Sequence, residues 1–320
     1  MIAGPNNSTY SDTILYPWKL LTASRCIPWL LVHVIECLTI VILNIIIIIV
    51  FGKQRQLQRK STYMIIHLAI VDLLVGAVNG PLWINWSEGS YCDIWEYNRP
   101  DINWVFILER LIGFQVHQVS LFNLACISLE RVHATFRPFK HRFIKKRVYG
   151  VIMIVTWLVP LVVNSIISEL DNCSYSYVNC ELIYLSYYFV LLFVMFFCYI
   201  SIYLKVRSSC RLQNHGAACL RERKLTRTLF VVTLGSLITF LPMMVFWGFT
   251  HFNPRLLYMF FGQSRFHIEM SVITFVFTSS LINPIVYAIR MPEIRAGILQ
   301  IIFRKAPNPR NPIDIPLENL

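Results

Sequence analysis

Polar side chains inside long apolar stretches are the residues of this sequence with the clearest chemical potential. Charged and amide groups are costly in lipid and normally face the interior of a helix bundle. Oxygen ligands around a carboxylate suit a small hard cation or a cluster of water molecules, and hydrogen bonds between helices without an ion are the alternative. Residues of this type lie at a similar depth in four stretches: Asn44, Asp72, Ser120, Ser279, Ser280 and Asn283.

A second candidate is the charged pair Glu130 and Arg131, which ends the third apolar stretch. The arginine could simply extend to the lipid headgroups. Alternatively, Arg131 pairs with Glu222 at the end of the sixth stretch and holds two helices in an inactive arrangement. Breaking a partly buried pair costs a few kcal/mol, which suits a two-state switch.

A third set of candidates predicts a ligand cavity. His117 and Arg110 precede Arg131 by multiples of seven residues, so the three share one helix face with a drift of about 20° per step. We expect this face to line a cavity open to the outside, with Gln118 nearby; a packed histidine is the alternative for His117. Glu109 needs a separate partner, because adjacent residues on a helix do not face each other. Further candidates are Trp83, Phe240, Met243, Trp247 and Glu269.

The composition predicts a membrane protein. The chain has 320 residues, 56% of them hydrophobic and 14% charged, with a mean hydropathy of +0.56. Stretches long enough to cross a hydrocarbon core of about 30 Å occur seven times. The sequence therefore predicts an all-α, seven-transmembrane helix bundle over residues 28–290. The expected spans are 28–51, 62–84, 102–134, 148–168, 182–206, 225–250 and 267–289.

The two ends of the chain lie outside this bundle. Residues 1–27 lack the basic start and apolar core of a signal peptide, so we expect an extracellular N-terminus. After the bundle, Pro292 favours a helix start, and isoleucines then recur on one face. We predict a short amphipathic eighth helix over 291–305 on the inner leaflet and a disordered cytoplasmic tail over 306–320.

The distribution of charge predicts the orientation. Of 29 Lys and Arg residues, 23 fall on one side of the predicted bundle and five on the other. Positively charged loops stay in the cytoplasm, so the N-terminus should be outside. The net charge of +12 then reflects basic residues along the anionic inner leaflet and requires no nucleic acid.

Glycosylation sequons agree with this orientation, since all lie on the predicted outside: Asn6, Asn7, Asn85 and Asn172. Four cysteines also lie outside, where disulfides persist. Cys173 and Cys180 share one short loop, so we favour a bridge between them, although sequence alone leaves the pairing with Cys26 and Cys92 open.

Taken together, these residues resemble a known family. The chain resembles the rhodopsin-like (class A) G-protein-coupled receptors over about residues 28–305, because the following residues occur in order in the expected spans: Asn44, Asp72, Glu130, Arg131, Val132, Trp157, Tyr199, Pro242, Asn283, Pro284 and Tyr287.

The resemblance implies roles for these residues. Asp72, with Asn44, Ser120 and Asn283, resembles the sodium site of the family, which implies an allosteric Na⁺. Arg131 resembles the arginine that meets the C-terminal helix of a heterotrimeric G protein. Residues implied in activation are Tyr199, Phe240, Pro242, Pro284 and Tyr287, where Phe240 stands at the place of a usual tryptophan.

The chain departs from the family pattern at three positions, and the last two of them point to a subgroup. Val132 replaces a usual tyrosine, Leu191 stands near the usual proline of the fifth span, and Phe106 replaces a usual cysteine. With Cys173 and Cys180 in the second outer loop, this pattern resembles the melanocortin, cannabinoid and lysophospholipid receptor group. A bridge from Cys92 to that loop remains an alternative.

Other positions of the sequence favour or disfavour particular classes of ligand. Retinal is disfavoured because the seventh span has no lysine for a Schiff base, and biogenic amines are disfavoured because Gly113 stands where the family has an aspartate. Arg110 favours an anionic or carbonyl-bearing ligand, such as a lipid headgroup, a nucleoside-like molecule or an acidic peptide. We therefore expect a plasma-membrane receptor that binds an extracellular ligand and activates a G protein.

Two other functional classes compete with this reading. Asp72, Arg110 and Glu36 could mark the ion path of a transporter, but paired inverted repeats are not evident. His33 and Glu36 share a face of the first span and could serve a membrane enzyme. Because no nucleophile–base pair or metal-ligand spacing accompanies them, we expect no enzymatic activity.

Overall fold

The computed structural model describes residues 23–53, 62–85, 92, 104–172, 177–209, 217–252 and 264–303, and almost all of these are helical. A π-helical turn at Val75–Asn79 joins the second helix to the third. In chain order the helices are α1 (Ala23–Lys53), α2 (Thr62–Leu74), α3 (Gly80–Trp83), α4 (Trp104–Phe136), α5 (Pro138–Arg142), α6 (Lys146–Asn172), α7 (Tyr177–Ser209), α8 (Ala217–Phe252), α9 (Arg265–Arg290) and α10 (Pro292–Phe303).

The predicted seven-helix bundle is confirmed. Six segments of the described chain are long and apolar enough to cross a membrane: Ser24–Lys53, Thr62–Trp83, Lys146–Ile167, Leu182–Lys205, Phe230–Thr250 and Arg265–Arg290. The remaining long helix, α4, has 33 residues. At 1.5 Å per residue it is about 50 Å long, which exceeds the thickness of the hydrocarbon core.

The surface of the bundle is apolar and its interior contains polar groups. Ile35 and Val245 are each 62% exposed, whereas Asp72 and Ser280 are fully buried. A soluble protein shows the opposite arrangement for charged groups. The outward apolar side chains are therefore the lipid-facing surface, and the buried polar groups satisfy one another inside the bundle.

Helix α4 occupies the centre of the bundle and packs against α2, α6 and α7. Its Leu121 and Leu124 are fully buried in one apolar cluster with Met195 of α7, Phe240 of α8 and Tyr287 of α9. Outside this centre, α9 packs between α8 and α1. These contacts bring one face of α2, α4 and α9 together at mid-membrane.

Hydrogen bonds from polar side chains fix α4 to its neighbours. Asn123 donates to the Met64 carbonyl of α2 over 3.3 Å, and Gln115 donates to the Trp157 carbonyl of α6 over 2.9 Å. The Trp157 indole in turn donates to His67 Nε2 over 3.0 Å. These bonds hold the three helices in register over about 12 Å of α4, the rise between Gln115 and Asn123.

Two glycines allow α1 to approach the second membrane segment closely. A Cβ atom on Gly76 would lie 2.8 Å from the Cys37 carbonyl oxygen, and one on Gly80 would collide with the Cys37 sulfur. Gly76 lies within the π-helical turn and Gly80 follows it. A π turn adds one residue to the helix and changes which side chains face the bundle.

The helices extend beyond the predicted spans, most of all α8, which begins at Ala217 although its predicted span begins at residue 225. The first predicted span began at Pro28, but α1 begins at Ala23 and contains Pro28. The predicted amphipathic helix after the bundle is α10, which begins at Pro292 and buries Ile294 fully. The assignments of residues 1–22 and 304–320 lie outside the described residues.

Candidate functional site

The Asp72 carboxylate is the centre of a buried polar cluster. Its Oδ1 accepts hydrogen bonds from Ser120 Oγ at 2.7 Å and Ser280 Oγ at 2.9 Å, and its Oδ2 accepts one from Asn283 Nδ2 at 2.6 Å. The donors come from α4 and α9, so three helices meet at one carboxylate. An ionised carboxylate accepts such bonds strongly, which offsets the cost of burying it.

Asn44 extends this cluster to α1. Its Nδ2 donates to the Ile40 carbonyl at 2.9 Å and to the Ser280 carbonyl at 3.4 Å. The structure thus brings together the predicted residues Asn44, Asp72, Ser120 and Asn283. Ser280 links Asn44 to Asp72, because Asn44 bonds the Ser280 carbonyl while the Ser280 hydroxyl bonds the carboxylate.

The donor set of this cluster fits a small hard cation. Two carboxylate oxygens, two hydroxyl oxygens and an amide lie together, and such oxygen ligands suit ions of this kind. In the described part of the chain, the buried Asn283 Oδ1 has no hydrogen-bond partner and is available as a further ligand. Asp72, Ser120, Ser280 and Asn283 would therefore hold the ion.

Toward the predicted outer side, His117 is buried in contact with two helices. Its Nδ1 is hydrogen-bonded to the Asn79 amide, and its ring meets Phe277 edge-on with centroids 5.0 Å apart. Asn79 is the last residue of the π-helical turn, so this turn places it against α4. His117 Nε2 and Asn79 Oδ1 have no partner among the described residues and can receive one polar group.

The structure describes the side chains of only some of the other residues predicted to contact the ligand. Gln118 is fully buried, next to His117 on α4. Trp247 on α8 and Glu269 on α9 are half-buried. Glu109 and Arg110 belong to α4, but their side chains lie outside the described residues. The ligand role of these residues stays a prediction.

At the predicted inner end of α4, Arg131 is paired with its neighbour Glu130. Arg131 Nε and Nη2 both lie 2.5 Å from Glu130 Oε2, and both side chains are buried. Adjacent helical residues do not normally face each other, but the long arginine side chain can reach back to the carboxylate. The predicted partner Glu222 has a side chain outside the described residues, so that pair stays a prediction.

Glu130 has two further partners that sequence reasoning missed. Its Oε1 lies 2.6 Å from His141 Nε2 and accepts a hydrogen bond from the Tyr149 hydroxyl over 3.3 Å. His141 belongs to the short helix α5 and Tyr149 to α6. The signal in the sequence was Pro138, which favours a helix start and places His141 one turn later.

The structure describes the five residues implied in activation, which lie on α7, α8 and α9. The Ser128 hydroxyl donates to the Tyr199 hydroxyl over 3.3 Å, and Tyr287 is fully buried with no hydrogen-bond partner for its hydroxyl in the described chain. Phe240 is fully buried and stacks on Tyr188 with centroids 6.0 Å apart. Pro242 and Pro284 lie inside α8 and α9, where each removes a backbone donor.

A disulfide joins Cys26 of α1 to Cys92 at the predicted outer end of the bundle. The alternative that Cys92 bridges to the loop of Cys173 and Cys180 is therefore wrong. The expected Cys173–Cys180 bridge lies outside the described residues. Among the sequons, Asn85 is exposed at the end of the second membrane segment, whereas the structure describes no side chain for Asn6, Asn7 and Asn172.

Comparison with known proteins agrees with this arrangement of polar residues. A family model described as 7 transmembrane receptor (rhodopsin family) matches residues 43–287. This chain belongs to the rhodopsin family of seven-transmembrane receptors. The buried residues Asp72, Arg131 and Asn283 are thus features of a receptor of the G-protein-coupled class.

Individual relatives of this receptor are distant. The chain is 23% identical to the Substance-K receptor of Rattus norvegicus, covering 87% of this chain and 75% of that protein. It is 25% identical to Trace amine-associated receptor 1 of Macaca mulatta, covering 84% and 85%. Rat Melanopsin is also 25% identical, but only 58% of its length is covered. These relatives are different receptors, so the resemblance to the melanocortin, cannabinoid and lysophospholipid group stays a prediction.

Proposed function

We propose that this receptor lies in the plasma membrane with its N-terminus outside and couples an extracellular ligand to a heterotrimeric G protein. The observation that supports this most is a line of buried polar side chains through the bundle. It runs from Asn79 and His117 through Asp72 and Asn283 to the paired Arg131. A ligand at one end can therefore bias the helices that hold the arginine at the other.

The ligand site that we propose lies above Asp72, around His117 and Gln118. Trp247 and Glu269 are half-buried on neighbouring helices, and Arg110 lies two helical turns outward from His117 along α4. A cationic side chain there would favour an anionic or carbonyl-bearing ligand, such as a lipid, a peptide or a nucleoside-like molecule. The unpartnered His117 Nε2 and Asn79 Oδ1 would bind a polar group of that ligand.

The switch that we propose is the release of Arg131. In the described arrangement its guanidinium is held by Glu130, which is itself held by His141 and Tyr149. An arginine in this state has little capacity to bind a partner. Ligand binding must favour the released state by several kcal/mol to change which state is populated.

A sodium ion at Asp72 would act against this release. Asp72, Ser120, Ser280 and Asn283 would hold it, with Asn44 positioning α1 beside them. The ion would supply positive charge to a carboxylate buried among apolar helices. These residues join α2, α4 and α9, so an occupied site stabilises the arrangement in which the three helices are close together.

Guanine-nucleotide exchange in membranes that express the receptor with a panel of G proteins tests this function. We expect receptor-dependent exchange on at least one G protein, and its loss in Arg131→Ala. Arg147→Ala is the matched control, because Arg147 is an exposed arginine on α6 whereas Arg131 is buried. Solute uptake without nucleotide exchange, unchanged by Arg131→Ala, would instead indicate a transporter.

A further inference from the structure

A second set of polar contacts joins α1 to α9, away from the Asp72 cluster. The Trp29 indole donates to His267 Nδ1 over 2.9 Å, and His33 Nε2 lies 3.2 Å from the Thr274 hydroxyl. One turn further along α1, Glu36 Oε1 accepts a hydrogen bond from the Thr278 hydroxyl over 2.8 Å. We call Trp29, His33, Glu36 and their three partners on α9 the α1–α9 seam.

Glu36 is the unusual member of this seam. It is 7% exposed, and its Oε2 is buried without a hydrogen-bond partner in the described part of the chain. Asp72, by contrast, has donors on both carboxylate oxygens. An ionised carboxylate in an apolar interior is costly unless it is paired, and the single bond from Thr278 offsets only part of that cost.

The charged and titratable groups around Glu36 are few. On α1, His33 lies three residues earlier on the same face, and Cys37 is buried against α2 and α3. On the second membrane segment, Asp72 is held by its own donors. On α9, hydroxyl groups face Glu36, while His267 bonds Trp29 and Glu269 is half-buried nearer the outer end. Described Lys and Arg side chains of the packed helices lie more distantly, at helix ends or on α10: Arg25, Lys53, Arg265, Arg290 and Arg295.

Aromatic rings pack beside Glu36 on the side of His33. The His33 ring lies 6.1 Å from Trp29 and 6.4 Å from Phe277, centroid to centroid, so aromatic rings fill the outer side of the seam. In the described residues, no group of three His, Cys, Asp or Glu side chains converges to hold a metal ion. A proton needs neither a cavity nor a shell of ligands.

We propose that Glu36 is a proton-binding site through which this receptor responds to extracellular pH. The inference rests on the proposed receptor function and on the N-terminus being outside. His33 lies one turn nearer the outside on the same face of α1. A hydronium ion at the outer face gives up one proton and becomes water, and the Oε2 of the ionised Glu36 accepts that proton; one O–H bond breaks on hydronium and one forms on Glu36.

Protonation changes the contact between α1 and α9. The ionised Glu36 accepts a charge-assisted hydrogen bond from Thr278, and this bond becomes weaker when the carboxyl is neutral. Helix α9 carries Ser280 and Asn283, which bind Asp72, and Tyr287. Loosening of α9 therefore favours the released state, so acidification of the outer medium raises basal nucleotide exchange.

The first test is a pH-difference infrared spectrum of the purified receptor in lipid nanodiscs. We expect a carboxylic-acid C=O band that appears as the pH falls and is missing in Glu36→Gln. Thr278→Val removes the donor that favours the ionised form, so the midpoint of this band should move to higher pH by about 0.5–1 unit. Thr39→Val is the matched control, because the Thr39 hydroxyl donates to the Ile35 carbonyl of its own helix. The midpoint of the infrared band in this variant should equal that of the wild type.

The second test follows basal nucleotide exchange against outer pH. Wild-type exchange should rise on acidification, and Glu36→Gln should show the acid level at every pH. A Glu36→Gln profile that parallels wild type would overturn the proposal, as would an infrared midpoint unchanged by Thr278→Val. If Glu36→Gln does not fold, the shift of the infrared midpoint in Thr278→Val alone decides between the two outcomes. The infrared test needs no G protein, so its outcome is separate from that of the proposed function.

Discussion

His141 Nε2 lies 2.6 Å from Glu130 Oε1, so a side chain of the short helix α5 completes the buried pair at the end of α4. Glu130 then holds Arg131 through its other oxygen. Because the Glu130 carboxylate contacts both His141 and Arg131, the position of α5 affects whether the arginine is free to bind a partner. His141 acts here as a positioning residue.

Replacement of His141 by alanine should raise basal nucleotide exchange. The variant removes a hydrogen bond to a charged group, worth roughly 1.5–3 kcal/mol, so the equilibrium should move toward the released state by about tenfold or more. Lys140→Ala is the control, since Lys140 is exposed on the same short helix. Equal basal exchange in His141→Ala and wild type would show that the contact does not restrain Arg131.

Sodium should stabilise the receptor through Asp72. If the ion binds the described state, 100-fold excess over its dissociation constant adds about 2.7 kcal/mol of stability. The melting temperature in detergent should rise when sodium replaces choline at constant ionic strength, and Asp72→Asn should remove this rise. If sodium raised the melting temperature of wild type and Asp72→Asn equally, the stabilising ion would bind at a site other than Asp72.

Replacement of Gly76 by alanine should destabilise the receptor. Its Cβ would lie 2.8 Å from the Cys37 carbonyl oxygen, which is backbone and cannot easily move away. Overpacking of this kind typically costs about 1–3 kcal/mol, so the melting temperature should fall. Gly150→Ala is the matched control, because a Cβ there meets nothing within 4 Å. Its melting temperature should stay the same or rise, given the better helix propensity of alanine.

The disulfide should link Cys26 to Cys92 in the purified receptor. Proteolysis without reduction, followed by mass spectrometry, should recover one peptide pair containing both residues. Loss of this bridge in Cys26→Ser should lower stability by about 2–5 kcal/mol, because it closes a sequence separation of 66 residues. A peptide linking Cys92 to Cys173 or Cys180 would contradict the structure.

The central polar cluster was predictable from the sequence because polar side chains are costly in contact with lipid. Residues such as Asp72 and Asn283 at equal depth in different spans must meet inside the bundle. The contact between Asn79 and His117 was not predictable, since it depends on a π turn that shifts the helical register. The hydrophobic periodicity of the sequence does not predict such a turn.

Contacts made by connecting segments were also missed. His141 lies in a basic segment that reads as a solvated loop, and only the start of α5 at Pro138 turns it toward Glu130. The pairing of Cys26 with Cys92 was one of the arrangements that four outer cysteines allow. Proximity along the chain favoured Cys173 with Cys180, a bridge that lies outside the described residues, whereas the fold places Cys26 next to Cys92.

Receptor-catalysed nucleotide exchange on a purified G protein, measured side by side for wild type, His141→Ala and Arg131→Ala in nanodiscs, tests the central claim most directly. The account predicts that exchange is raised in His141→Ala, present in wild type and absent in Arg131→Ala. If Arg131→Ala, correctly folded by its melting temperature, drives exchange as fast as wild type, the buried arginine is not the point of coupling and the account is contradicted.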